Sequence, residues 1–188
     1  ISALGSDKKS KSRYSRSKAL GEKKVLKKFK RSFIVKPSII YGKEDNFFQQ
    51  FKKISKISPI LPLIGSQVKF QPIFVSDLVL SIIKILEITS NSIRVYEIGG
   101  TKIYTFEDLL ILMLKILRKK RFLLKLDPRL MMIPGFFLKF LPNPPFTDDQ
   151  MQLLRKDNVV DPKIPGIENL GIRASNLEAI LPSILKDN

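Results

Sequence analysis

Tyr14 and Lys18, in the run Tyr-Ser-Arg-Ser-Lys, are the residues of this chain best suited to chemistry. On a helix, side chains four residues apart lie one above the other on the same face. A lysine ammonium there can lower the pKa of the phenol by its charge and still reach a cofactor hydroxyl. A tyrosine acid/base beside a lysine is what carbonyl–alcohol redox chemistry requires. Taken alone the pair is weak, because Tyr-x-x-x-Lys also recurs by chance on solvated helix faces. Its setting in the chain therefore decides its meaning.

The elements that must hold the pair can be read on either side of it. Ser12 is a natural N-cap, and residues 12–30 read as a helix with Leu20, Val25, Leu26 and Phe29 on its buried side. Before it, residues 1–5 form a short apolar segment ending in small residues. After it, residues 33–36 form a β-type run ended by Pro37, which removes a ladder donor. Residues 47–57 repeat apolar side chains at helical spacing, and Pro59 and Pro62 then suggest an extended connector. Residues 68–74 read as a β-segment confined to an edge by Pro72. Ser76 or Asp77 should cap the next helix, Asn91-Ser92 should turn the chain, and residues 94–98 should form a strand closed by Gly99-Gly100. Thr105, with Asp108 three residues on, marks a helix start. Residues 122–126 look β-like, Asp127-Pro128 opens a Met/Phe-rich helix, Thr147 caps residues 148–156, and residues 174–185 form a last helix. Helices alternating with β-runs over the first hundred residues predict parallel α/β architecture.

Composition narrows the chemistry further. The chain has 188 residues, 44% of them hydrophobic, enough for one modest core. It contains neither cysteine nor histidine, which excludes disulfides, thiolate or imidazole metal sites, cysteine nucleophiles and a Ser-His-Asp triad. No metal is expected. The formal charge of +17 invites a nucleic-acid reading, yet no aromatic residues interleave with the lysines as a stacking platform and no groove-reading motif is present. Nucleic acid is accordingly not expected as a partner. The apolar stretches at 109–117 and 130–141 are well short of the roughly 20 residues that span a bilayer. The segment 131–140 is expected to be a core helix of a small lobe, with docking on a membrane surface or a partner protein as the sharper alternative.

In order, these features are a strand end with serine, a helix with Tyr and Lys, a strand, and Pro-x-x-x-x-Gly. That order resembles the second half of an extended or atypical short-chain dehydrogenase/reductase. Phe74-Val75-Ser76-Asp77-Leu78 and the strand ending at Gly99-Gly100 resemble later landmarks of that family. Ser2-Ala3-Leu4-Gly5, residues 14–22 (YSRSKALGE), residues 36–45 (KPSIIYGKED), residues 71–75 and residues 148–160 (DDQMQLLRKDNVV) resemble the branch containing the nucleotide-binding accessory subunit of respiratory complex I. The fold this implies is α/β: the C-terminal half of a Rossmann-type doubly wound parallel sheet with a small, mostly helical substrate lobe. Residues 1–46 and 71–100 would belong to the dinucleotide-binding domain, and residues 47–70 and 101–188 to the lobe. The glycine-rich phosphate loop of such folds is absent from the nine scattered glycines, so the N-terminal half of the domain is expected to be missing.

The resemblance also assigns roles. Tyr14 would be the general acid/base, Lys18 would bind the nicotinamide ribose and depress the Tyr14 pKa, and Ser2 would hydrogen-bond the substrate oxygen, with Ser6 as its alternative. Pro37, Ser38, Ile39 and Ile40 would line the nicotinamide carboxamide of NADP or NAD, and Asn46 and Phe47 would face the substrate cleft. Asp77 reads as a helix cap rather than a catalyst. Two functions follow: an NAD(P)-binding accessory or assembly protein associated with complex I, or an active NAD(P)-dependent reductase or epimerase. The expected location is cytoplasmic and peripheral to the inner membrane, with complex I subunits or a membrane surface as partners.

Overall fold

The computed structural model describes residues 1–89, 94–126 and 147–186. In chain order the elements are α1 (Arg13–Lys28), β1 (Ile34–Pro37), β2 (Ile40–Tyr41), α2 (Asn46–Ile57), β3 (Ile60–Ile64), β4 (Lys69–Phe70) and β5 (Ile73–Phe74). They continue as α3 (Val75–Leu86), β6 (Val95–Ile98), β7 (Tyr104–Thr105), α4 (Phe106–Ile116), β8 (Phe122–Leu126), α5 (Asp148–Leu153) and α6 (Leu177–Leu185). The turn at Asn91-Ser92, the helix opening at Asp127-Pro128 and the segment 131–140 lie outside the described residues.

Strand pairing is mainly parallel: β1 with β6, β2 with β5 and β3 with β8, while β4 and β7 pair antiparallel. On the other edge of β1, the N–H of Ser2 donates to the carbonyl of Val35 at 2.7 Å and that of Leu4 to Pro37 at 3.1 Å. β1 therefore lies between residues 1–4 and β6. Residues 1–4 do not form a regular strand, because the return bond to Ser2 would need an N–H that Pro37 lacks. The α/β fold with parallel strands is the one expected.

Local capping explains several helix starts. The Ser12 side chain accepts from the N–H of Ser15, and Asp45 caps α2 through the N–H of Phe48. Thr105 with Asp108 and Thr147 with Gln150 form complete capping boxes on α4 and α5.

Three expectations are corrected. First, α1 buries Ser15 and Ala19, whereas Leu20, Val25 and Phe29 are 50%, 37% and 66% exposed. The small residues let the helix lie close to the preceding loop, where Ser15 Oγ donates to the Gly5 carbonyl at 2.6 Å. Second, the Pro59–Pro62 connector is β3, paired with a strand some sixty residues away that local pattern could not reveal. Third, Asp77 does not cap α3, whose N-cap is Phe74 without a side-chain bond; its carboxylate accepts from the N–H and hydroxyl of Ser175.

The apolar interior forms two clusters. One gathers Tyr41, Phe48, Phe51, Leu61, Phe106, Leu109 and Leu181 among α2, β3, α4 and α6. The other gathers Val35, Ile73, Leu78, Tyr96 and Ile98 around the β1–β6 pair, with Ile167, Ile172 and Ala174 from the C-terminal segment. Among the described residues no helix is long and apolar enough to cross a membrane.

Candidate functional site

Tyr14 is the second residue of α1 and Lys18 lies one turn on, so the helix itself brings them together. The Lys18 ammonium sits 5.5 Å from the centroid of the Tyr14 ring and donates to the Ile1 carbonyl at 3.5 Å. Tyr14 is 44% exposed, leaving its face of the helix open to a ligand. Burial raises the phenol above its ordinary pKa, opposite to the depression expected from Lys18. The ammonium is positioned over the ring, and desolvation alone drives the shift.

A carboxylate that the sequence did not single out fixes this end of α1. Asp149 accepts from Ser12 Oγ at 2.8 Å and from the N–H groups of Arg13 and Tyr14 at 2.6 and 3.2 Å. An anion at a helix N-terminus meets unpaired donors and the positive end of the dipole. Desolvation raises the Asp149 pKa, but these hydrogen bonds and the Arg16 charge outweigh it, and the net shift is downward. Asp149 stands in the resembling run 148–160, but nothing in the local pattern names its partner 135 residues away.

Ser2 is engaged elsewhere. Its hydroxyl donates to Glu22 at 2.5 Å, as does that of Ser6, also at 2.5 Å, and Lys36 completes the group at 3.4 Å from the other carboxylate oxygen. Glu22 lies about two turns beyond Tyr14 on α1. The structure thus joins Tyr14 to Lys18 and commits both Ser2 and its alternative Ser6 to a different carboxylate.

The Pro37–Ile40 segment is similarly knitted into the fold. Ser38 is buried; its N–H donates to the Ile98 carbonyl at 2.9 Å, and its hydroxyl lies 2.7 Å from Asn158 Oδ1. The Ile39 N–H donates to the same Oδ1 at 3.0 Å, and Ile40 pairs with Ile73. A ligand here would therefore meet side chains and carbonyls rather than free donors at residues 38 and 39. Asn158 is the second residue that the sequence reading missed. Asn46 is exposed at the start of α2, while Phe47 packs into an aromatic cluster 5.0 Å from Phe48 and 5.6 Å from Phe106. Phe47 therefore belongs at least partly to the core. Beside it, burial raises the pKa of Asp45 despite opposing backbone hydrogen bonds.

This arrangement fits one end of a nicotinamide dinucleotide. An ammonium and a phenol on one open helix face suit a ribose and a reacting oxygen. The pyrophosphate has no counterpart here, because the 188 residues contain no glycine-rich phosphate loop.

No family model matches the chain. Among curated proteins it is 32% identical over 171 residues to the mitochondrial NADH dehydrogenase (ubiquinone) 1 alpha subcomplex subunit 9 of Arabidopsis thaliana, covering 85% of this chain and 42% of that protein. It is 38% identical over 110 residues to the Dictyostelium discoideum protein of the same name, covering 58% of this chain and 31% of that one. The Mus musculus protein is 26% identical over 180 residues, covering 95% of this chain and 48% of its own. The chain thus spans less than half the length of these relatives. Among solved structures it resembles UDP-glucose 4-epimerase from Thermotoga maritima, with a TM-score of 0.60 at 16% identity, covering 92% of this chain and 50% of that one. It also resembles dTDP-4-dehydrorhamnose reductase from Bacillus anthracis in complex with NADP, with a TM-score of 0.53 at 20% identity, covering 84% and 52%. These likenesses show the fold alone, an α/β arrangement with parallel strands. The sequence relatives bear out the resemblance to the complex I branch.

Proposed function

We propose that this chain is part of an NAD(P)H-binding accessory subunit of respiratory complex I, placed at the periphery of the mitochondrial inner membrane. The observation that carries the reading is the Tyr14–Lys18 pair on one open helix face, within a chain similar over most of its length to NADH dehydrogenase subunits. Lys18 would hold the nicotinamide ribose, Tyr14 would stand against the nicotinamide ring, and Pro37, Ile39 and Ile40 would close the same end with side chains and carbonyls. When bound, the cofactor would supply hydride chemistry; the chain's own contribution is to bind and orient it. Residues 1–46 and 71–100 would form the cofactor side, and residues 47–70 and 101–188 the lobe.

The test is affinity purification of the tagged full-length protein from its own cells. The expected result is co-purification with NADH:ubiquinone oxidoreductase subunits and no substrate-dependent change at the nicotinamide absorbance band. A free protein that oxidises or reduces carbonyls or nucleotide sugars would support the reductase or epimerase reading instead.

A further inference from the structure

Charge is distributed unevenly along the chain. Twelve of the twenty-four residues from 8 to 31 are lysine or arginine, against 34 in all 188 residues, so a general compositional bias does not account for the cluster. Its one acid, Glu22, is turned inward to Ser2, Ser6 and Lys36 and offsets nothing at the outer surface. Ten of the twelve cations are exposed, all but Arg16 and Lys18.

The geometry of α1 arranges them as a strip. The helix is about 24 Å long, with Ser15 and Ala19 facing inward. Arg13, Lys24, Lys27 and Lys28 therefore share the outer face, with half-exposed Leu20 among them. Lys8, Lys9 and Lys11 stand in the loop before the helix, and Lys30 and Arg31 follow exposed Phe29.

We propose that this outer face of α1 docks on an anionic lipid surface. The proposal goes beyond the cofactor reading and stands on charge and exposure alone. Lysine dominates the strip, and its compact, flexible point charge suits a diffuse layer of headgroups better than the bidentate recognition for which arginine is favoured. Lysines near an anionic membrane are each drawn to its negative surface potential, and their contributions add along the strip. The exposed apolar side chains of Leu20, Val25 and Phe29 among the cations suit shallow insertion at such an interface. A single-stranded nucleic acid would instead call for a row of aromatic stacking platforms, and residues 8–31 expose only two aromatic rings, Tyr14 and Phe29, at opposite ends of α1.

The test is co-sedimentation of the full-length protein with phosphatidylcholine vesicles containing or lacking about one-third phosphatidylglycerol. Binding should require the anionic lipid and weaken steeply with salt. The triple variant Lys24→Glu/Lys27→Glu/Lys28→Glu should bind at least tenfold more weakly, and Phe29→Ser a few-fold more weakly. The control Lys53→Glu/Lys120→Glu/Lys163→Glu removes the same charge elsewhere and should bind nearly as the parent does. Equal loss in both triple variants, no loss in the first, or displacement from vesicles by a stoichiometric single-stranded RNA 20-mer would each overturn the proposal.

Discussion

The helix that carries the candidate site and the lobe beside it are held by different physics. α2, α4 and α6 meet through fully buried Phe48, Phe51, Phe106, Leu109 and Leu181. α1 buries only Ser15 and Ala19 and is fastened mainly by carboxylates, Asp149 at its N-terminus and Glu22 on its inner face. Apolar packing is indifferent to pH and moderate salt, whereas hydrogen-bonded carboxylates are not. The difference implies that α1 can loosen while α2, α4 and α6 stay packed.

The largest expected effect breaks the lobe. Phe106→Ala removes a ring packed against Phe47, Phe51 and Phe70 and should cost about 3–5 kcal/mol, lowering the Tm by on the order of 10 °C. Thermal denaturation followed by circular dichroism reads this directly. Glu22→Ala attacks the other region, leaving the Ser2 and Ser6 hydroxyls and the Lys36 ammonium without their acceptor. A loss of about 2 kcal/mol is expected, with hydrogen exchange rising in α1 and unchanged in α4. Equal acceleration in both helices would show that the two regions are not separable.

Two smaller effects sharpen the contrast. The Tyr41 hydroxyl is buried without a hydrogen-bond partner among the described residues, and burial with the nearby Asp77 charge pushes its pKa far up. Tyr41→Phe should therefore leave stability unchanged or raise it by up to about 1 kcal/mol in a chemical denaturation curve. Asp149 gives the pH dependence. Its folded pKa lies below the ordinary 3.8, so its clasp stabilises above that value and is lost as pH falls through the folded pKa. Amides in the first turns of α1 should exchange faster on acidification, after correction for intrinsic rates, while α4 amides do not. Asp149→Asn should abolish that dependence.

Much of this was legible locally. Ser12, Thr105 and Thr147 announce helix starts because capping is a matter of three or four residues. The Pro37-ended run and the residues before Gly99-Gly100 read as strands, and the glycine pair proves necessary. A Cβ on Gly100 would come within 1.9 Å of the Pro72 carbonyl oxygen. What stayed hidden depends on distant partners. β3 needed β8, and Asp149 and Asn158 are single polar residues whose roles exist only once the chain has folded back. The buried side of α1 was misread because apolar periodicity normally marks the packed face, and here small residues do so instead. At the site, the Tyr14–Lys18 pairing was readable from spacing, but the engagement of Ser2 by Glu22 was not.

The central claim is that Tyr14 and Lys18 hold the nicotinamide end of a dinucleotide in a protein kept for binding. The most direct measurement is the amount of NADPH and NADH retained by the purified full-length protein in its complex, compared among the parent, Lys18→Ala and Tyr14→Phe. Lys18→Ala should lose at least tenfold of the bound cofactor, because a charged donor to the ribose is removed, whereas Tyr14→Phe should retain nearly all of it. Full retention by Lys18→Ala, with the complex intact, would contradict the account.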